Sequence, residues 1–220
     1  MGEKVILLDQ FVSMFGMRAR IALAAKGVVY DYREQDLFNK SQLLLQSNPI
    51  HKQIPILIQN DKPVCESLII LEYIDEVWNQ GYPLLPPHPY QRAQARFWVD
   101  YIDKQFYGTG RKIWCTSSEE ELEAGKKELV ETLKQLESQL GEEAFFGGER
   151  LGFLDVVLVP YSTCFHTYKM CSGFSIREHC PKLTQCVKRC IDFVSESLAD
   201  PAKIYDFVSV MRKVLGLHTL

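Results

Sequence analysis

The residue best placed in this chain to do chemistry is a serine at the junction between an apolar run and a helical pattern. Ser13 follows Val5-Ile6-Leu7-Leu8 and opens Ser13-Met14-Phe15-Gly16-Met17-Arg18, ahead of Ile21-Ala22-Leu23-Ala24-Ala25-Lys26. A hydroxyl at the start of a helix lies beside unpaired backbone N–H groups and the positive end of the helix dipole, which is a place to hold an anion. Serine is also favoured as an ordinary N-cap whatever the function, so this segment alone leaves both readings open. A second feature is Ile54-Pro55 at the entrance to Ile56-Leu57-Ile58. Proline cannot donate to a ladder, so this dipeptide must be an edge, a bend or a cis bond. With a cis bend, the backbone groups of Ile54 turn outward toward a peptide ligand.

The elements that must position these residues can be read from periodicity and punctuation. A strand over Val5–Leu8 leads into a helix from about Phe15 to Lys26, stopped by Gly27, the residue type that closes helices in the left-handed conformation. Val28–Tyr32 is expected as a second strand and Lys40–Gln46 as a short helix. Two β-rich runs around Gln59-Asn60-Asp61-Lys62-Pro63 form a hairpin, and the apolar spacing after Ser67 predicts a helix over Glu66–Trp78 packed on it. The order is βαβαββα, consistent with a mixed four-stranded sheet. Four prolines within residues 79–89 make a stiff linker, so the first domain is placed at 1–78 and an all-α domain at 90–220. In that second part Leu122, Leu129, Leu133, Leu136 and Leu140 recur at helical spacing behind Ser118-Glu119-Glu120-Glu121, a cap with acidic residues that compensate the dipole. Asp155 stands three residues past Gly152, the spacing at which a carboxylate reaches back to a cap N–H, which makes it structural.

Several separate motifs in register carry a resemblance. Ser13-x-Phe15-Gly16-Met17-Arg18, Asn39-Lys40-Ser41, Asn48-Pro49, Ile54-Pro55-Ile56-Leu57 and Glu66-Ser67-Leu68 resemble the thioredoxin-like domain of a glutathione transferase. The run Tyr90–Trp98, with Phe146-Gly147-Gly148 and Gly152-Phe153-Leu154-Asp155, is similar to the plant tau class. The resemblance implies an α+β thioredoxin-like N-terminal domain (βαβαββα) followed by an all-α C-terminal domain, with glutathione as co-substrate and no metal. It makes Ser13 the catalytic hydroxyl. It assigns Glu66 and Ser67 to the γ-glutamyl end, the Ile54 backbone to the cysteinyl unit, and Lys40 with Gln53 to the glycyl carboxylate. Pro55, Arg18, Asp103 and Asp155 are supporting residues. Phe15, Tyr107, Arg111, Trp114, Phe207 and Met211 are expected to line a hydrophobic electrophile pocket, Tyr107, Arg111 and Trp114 sharing one helical face. The common pattern has proline where this chain has Met14 and a second basic residue where it has Gln53.

The implied reaction is attack of the glutathione thiolate on an electrophilic carbon. A thiol of pKa about 8.5 is mostly protonated at neutral pH, and one hydroxyl donor plus a helix N-terminus supplies roughly the ~2.7 kcal/mol that a two-unit depression requires. Other readings remain: a thiol transferase or dehydroascorbate reductase of the same fold, which would use cysteine to form a mixed disulfide and against which serine at position 13 argues; a glutathione-dependent peroxidase, as an alternative or a side activity; and a non-catalytic carrier of hydrophobic ligands. The resemblance also implies a two-fold homodimer in which Arg92 and Arg96 face acidic residues such as Asp75 and Glu76 of the second subunit.

Composition fits this reading. With 46% hydrophobic and 24% charged residues the chain is ordinary globular material, and a net charge of −3 gives no reason to expect nucleic acid. Seven cysteines with no C-x-x-C pair argue against a disulfide framework and for a reducing compartment. Cys180, Cys186 and Cys190 with His179 lack the spacing of a zinc site. The short apolar run behind a charged start does not suit a signal segment, and no long apolar window suits a membrane span, so the cytoplasm is expected.

Overall fold

A computed structural model describes residues 4–217. The chain divides into two compact units: residues 1–85 with 196–198, and residues 86–195 with 199–220.

The first unit is built on a four-stranded sheet in the order β2-β1-β3-β4, with β1 Val5–Asp9, β2 Asp31–Glu34, β3 Ile56–Gln59 and β4 Lys62–Cys65. β1 runs parallel to β2 and antiparallel to β3, and β3 to β4 is the hairpin. Every residue of β1 is buried, as expected of a strand covered on both faces. Ile6 and Leu8 pack with Ile56, Ile58 and Leu44 of helix α2 (Gln42–Ser47). Leu7 and Leu57, opposite one another in register, alternate to the other face. Helix α1 (Met14–Ala25) packs on helix α3 (Ser67–Val77).

One expected strand moves. Val28–Tyr32 is not the second strand; Asp31–Glu34 is, with a mostly exposed polar pattern. The reason is the close of α1: the Val28 amide turns back to the Leu23 carbonyl at 2.9 Å and Gly27 takes φ +65°, so the chain is still leaving the helix where apolar composition suggested a strand. Val29 is left exposed.

The second unit comprises α4 (Pro89–Tyr101), a π-helical segment Ile102–Phe106, α5 (Tyr107–Cys115), α6 (Glu119–Leu140), α7 (Phe153–Leu158), α8 (Phe165–Ser172), α9 (Ile176–His179), α10 (Pro181–Val194) and α11 (Pro201–Val214). Two short 3-10 stretches, Val159–Cys164 and Ser195–Ser197, interrupt this part of the chain. Leu129, Leu133, Leu136 and Leu140 form the buried stripe of α6, and Ser118 caps that helix by accepting from the Glu121 amide. Asp155 reaches back to Gly152 as its spacing predicts: the Phe146, Gly147 and Gly152 amides donate to its carboxylate at 3.0, 3.0 and 2.8 Å. The carboxylate therefore ties the loop before α7 to the first turn of that helix. The thiols of Cys186 and Cys190 approach the same carboxylate at 3.7 and 3.8 Å, and its two oxygens are already occupied by main-chain donors.

Candidate functional site

Ser13 is the N-cap of α1, in extended backbone conformation, and its Oγ accepts from the Gly16 amide at 3.2 Å. The Ser13 amide closes a tight turn onto the Gln10 carbonyl at 2.7 Å, which brings the chain from the end of β1 directly into the helix. The N-cap and anion-site readings are thus compatible. The hydroxyl oxygen serves the helix, while its proton remains to be donated outward. Met14, in place of proline, is simply the first helical residue.

The start of α3 is the second element of the site. Ser67 is buried, and Arg18 Nη1 donates to its Oγ at 3.1 Å. Arg18 is fully buried, not a solvated side chain, and its guanidinium lies 4.9 Å from the Phe15 ring. One arginine thus links the helix that Ser13 begins to the helix that Ser67 begins. Glu66, ahead of Ser67, takes φ +71°, a conformation a side-chain-bearing residue seldom adopts, and its carboxylate is exposed. His51 Nδ1 lies 3.0 Å from Glu66 Oε1.

The Ile54–Pro55 bond is cis, and the β1–β3 ladder starts at Ile56, leaving Ile54 outside it. Asn48 fixes the preceding loop, donating to the Gln53 carbonyl at 3.1 Å and accepting from the His51 amide at 3.1 Å. Gln53 and Lys52 are exposed and Lys40 is half-buried ahead of α2. Ser13 and Ser67 therefore open two helices that Arg18 connects, and Ile54 and Glu66 lie at the loop ends that flank the β3–β4 hairpin of the same sheet.

The remaining site candidates lie in the helical unit. On α5, the Cys115 thiol and the Tyr107 hydroxyl beside Arg111 raise its already high pKa, and its guanidinium lies 5.8 Å from the Trp114 ring. Tyr107, Arg111 and Trp114 thus come together as their spacing predicts. On α11, Phe207 and Met211 are half-buried one turn apart, and the adjacent buried Arg212 donates to the Trp114 carbonyl at 2.5 Å. Asp103, in the π-helical segment, accepts from the Tyr161 hydroxyl at 3.3 Å.

The expected intersubunit pairing of Asp75 does not hold. Asp75 is buried beside Lys26 Nζ at 2.7 Å and accepts from the Leu84 and Leu85 amides at 2.8 and 2.9 Å, so its charge and lone pairs are committed within its own chain. Arg92 donates to the Pro87 carbonyl at 2.6 Å. His51 and Arg212 were not singled out in the sequence, where a histidine two residues before Gln53 and an arginine near the end carry no motif.

Comparison with known proteins decides the family. Residues 3–76 match the glutathione S-transferase N-terminal domain and residues 119–185 the glutathione S-transferase C-terminal domain. The chain belongs to the glutathione S-transferase family. It is 55% identical over 217 residues to a probable glutathione S-transferase, parA, of Nicotiana tabacum, covering 98% of each chain. To glutathione S-transferase U25 of Arabidopsis thaliana it is 55% identical over 220 residues, covering 99% of each. A crystal structure of rice GST1 in complex with glutathione superposes with a TM-score of 0.92 at 45% identity, covering 97% of this chain and 98% of that one. The tau-class glutathione S-transferase of mango, Mangifera indica, superposes with a TM-score of 0.90 at 38% identity, covering 94% and 98%. These relatives place this glutathione S-transferase in the plant tau class. Among the described residues no helix is long and apolar enough to cross a membrane.

Proposed function

We propose that this protein conjugates glutathione to hydrophobic electrophiles, with Ser13 stabilising the thiolate. The observation that carries the reading is the arrangement at the sheet: an N-cap hydroxyl at α1, a second buried serine at the start of α3, and a buried arginine between them. The Ser13 hydroxyl donates to the thiolate while the N-terminal end of α1 adds the favourable field. Ser67 and the α3 amides suit the γ-glutamyl carboxylate, and the exposed Glu66 carboxylate suits the γ-glutamyl ammonium. Ile54, outside the ladder, pairs main chain to main chain with the cysteinyl unit, and Lys40, with neutral help from Gln53, meets the glycyl carboxylate.

The thiolate attacks an electrophilic carbon, a carbon–sulfur bond forms, and a leaving group such as chloride departs with its electron pair; the thiol proton has already passed to solvent. None of these steps calls for a metal. The Tyr107, Arg111, Trp114, Phe207 and Met211 set supplies aromatic and apolar surface for the second substrate. We further propose that the protein works in the cytoplasm as a homodimer, which light scattering tests directly: a species near twice 25.4 kDa supports it and a monomer contradicts it. The function itself is tested by turnover of glutathione with 1-chloro-2,4-dinitrobenzene. Loss of turnover in Ser13→Ala, with retained folding, is expected; a protein that binds both substrates and produces no conjugate contradicts the reading.

A further inference from the structure

Beneath the first turn of α1 lies a buried ion pair that the assignment above does not use. Asp9, the last residue of β1, and Arg20, midway along α1, are 0% and 3% exposed, and Arg20 Nη1 donates to Asp9 Oδ2 at 2.9 Å. The other two arms of Arg20 are spent on main chain: Nη2 donates to the Phe11 carbonyl at 2.7 Å and Nε to the Ser197 carbonyl at 3.1 Å. The guanidinium also lies 4.4 Å from the Phe11 ring. At the other end of the same residue the Phe11 amide donates to the Glu34 carboxylate at 3.1 and 3.2 Å. Phe11 stands two residues before Ser13 and is gripped at both ends.

Asp9 itself is pressed against the helix. A Cβ placed on Gly16 would fall 1.7 Å from Asp9 Oδ1, and Gly16 is the residue whose amide Ser13 Oγ accepts. Asp9 Oδ1 is buried with no hydrogen-bond partner. A bare carboxylate oxygen directly under the first turn costs stability, and the pairing with Arg20 engages only the other oxygen. The charged and titratable groups facing Asp9 are Arg20 from α1, Glu34 and Tyr32 from β2, and Tyr30 just ahead of β2.

We propose that Asp9 and Arg20 are positioning residues for the Ser13 hydroxyl: Arg20, anchored by Asp9, fixes the Phe11 carbonyl that leads into Ser13, and the Asp9–Arg20 pair under Gly16 sets the field the thiolate meets. The proposal rests on the assignment of Ser13 to the thiolate. Its consequences separate geometry from charge. Arg20→Gln releases the Phe11 carbonyl, so kcat falls about tenfold, as small misplacements of a catalytic group do, while the KM for glutathione, set at Glu66 and Ser67, moves by less than about twofold. Asp9→Asn is nearly isosteric and removes the negative charge that Asp9, its carboxyl held up to about 7 by burial, takes on through neutral pH, leaving Arg20 uncompensated at every pH. The acid limb of kcat/KM then moves to lower pH, by at most on the order of one unit, the value for a full unit charge acting over about 10 Å at an effective dielectric of about 20.

The experiment measures kcat, KM for glutathione and the pH profile of kcat/KM with 1-chloro-2,4-dinitrobenzene for Arg20→Gln, Asp9→Asn and the double variant, with folding followed by circular dichroism. The double variant buries no charge and so keeps the test open where a single variant does not fold; its acid limb lies above that of Asp9→Asn, from which it differs by the Arg20 charge, while kcat stays low. A pair that only stabilises the fold lowers the active fraction and leaves the limb in place. Wild-type kcat and wild-type limb in folded variants, with Ser13→Ala still shifting the limb, overturn the proposal and leave the Ser13 assignment standing. An unmoved limb in Ser13→Ala overturns that assignment instead.

Discussion

Replacing Ser13 by alanine removes two things at once, and the structure allows them to be weighed separately. The first is the N-cap bond from the Gly16 amide to Ser13 Oγ at 3.2 Å; its loss costs about 1 kcal/mol of stability. The second is the hydroxyl proton, which no backbone acceptor of α1 requires and which is free for a thiolate. A hydrogen bond to a charged partner contributes roughly 1.5–3 kcal/mol, and one pKa unit is about 1.4 kcal/mol, so the thiol of bound glutathione rises by about one to two units. The helix end survives in the variant, so its share of the stabilisation persists. The measurement is kcat/KM against pH with 1-chloro-2,4-dinitrobenzene, alongside thermal unfolding. Ser13→Ala moves the acid limb up by one to two units and lowers stability slightly, whereas Ser13→Thr, which keeps both the cap and the proton, holds the limb near its original place. Ser13→Cys behaves differently again: a thiol at a helix N-terminus is acidified, so conjugation falls and disulfide exchange with glutathione appears. An alanine variant with an unchanged limb and unchanged rate would reduce Ser13 to a helix cap and refute the reasoning.

Further expectations follow from particular contacts. Ser67→Ala raises the KM for glutathione and leaves the Arg18 guanidinium short of an acceptor, while binding of an apolar dye to the second-substrate site is nearly unaffected; equal loss of both points to misfolding and contradicts the assignment. Gly16→Ala drives a methyl group into the Asp9 carboxylate, so the melting temperature falls sharply, by the equivalent of at least about 2 kcal/mol, and an unshifted transition would show that the buried pair can yield. Asp155→Ala leaves three main-chain amides without their acceptor and costs about 3 kcal/mol or more in denaturant unfolding; a change under about 1 kcal/mol refutes its role as the tie before α7. Burial pushes the Asp9 carboxyl up to about 7 against the pull of Arg20 and the Gln10 amide. The folded state therefore keeps a proton that the unfolded chain gives up near pH 4, and this group's contribution to stability falls as pH rises from about 4 to about 7, opposite to an ordinary paired carboxylate. Denaturant midpoints across that window should slope less in Asp9→Asn than in the wild type.

The order of elements, the capping serine at position 13, the reach of Asp155 back to Gly152 and the common face of Tyr107, Arg111 and Trp114 were legible in the sequence because each depends on residues a few positions apart. Helical and strand periodicity, capping spacing and proline chemistry are local, and local rules can be read from a string of residues. Where the chain departed from such reading, a distant or competing contact decided the outcome. Val28 entered the close of α1 instead of β2, and β2 then took the register that pairing with β1 set. Asp75 had the charge of an interface residue and was claimed by Lys26 and two amides from residues 84 and 85. Arg18 and Arg20 are two residues apart on one helix and carry the same charge, yet tertiary packing sends one to Ser67 and the other to Asp9, Phe11 and Ser197. Which partner satisfies a buried charge is a question of three-dimensional neighbours, because burial makes every unpaired donor or acceptor costly and the chain fold alone determines who is near enough to answer it.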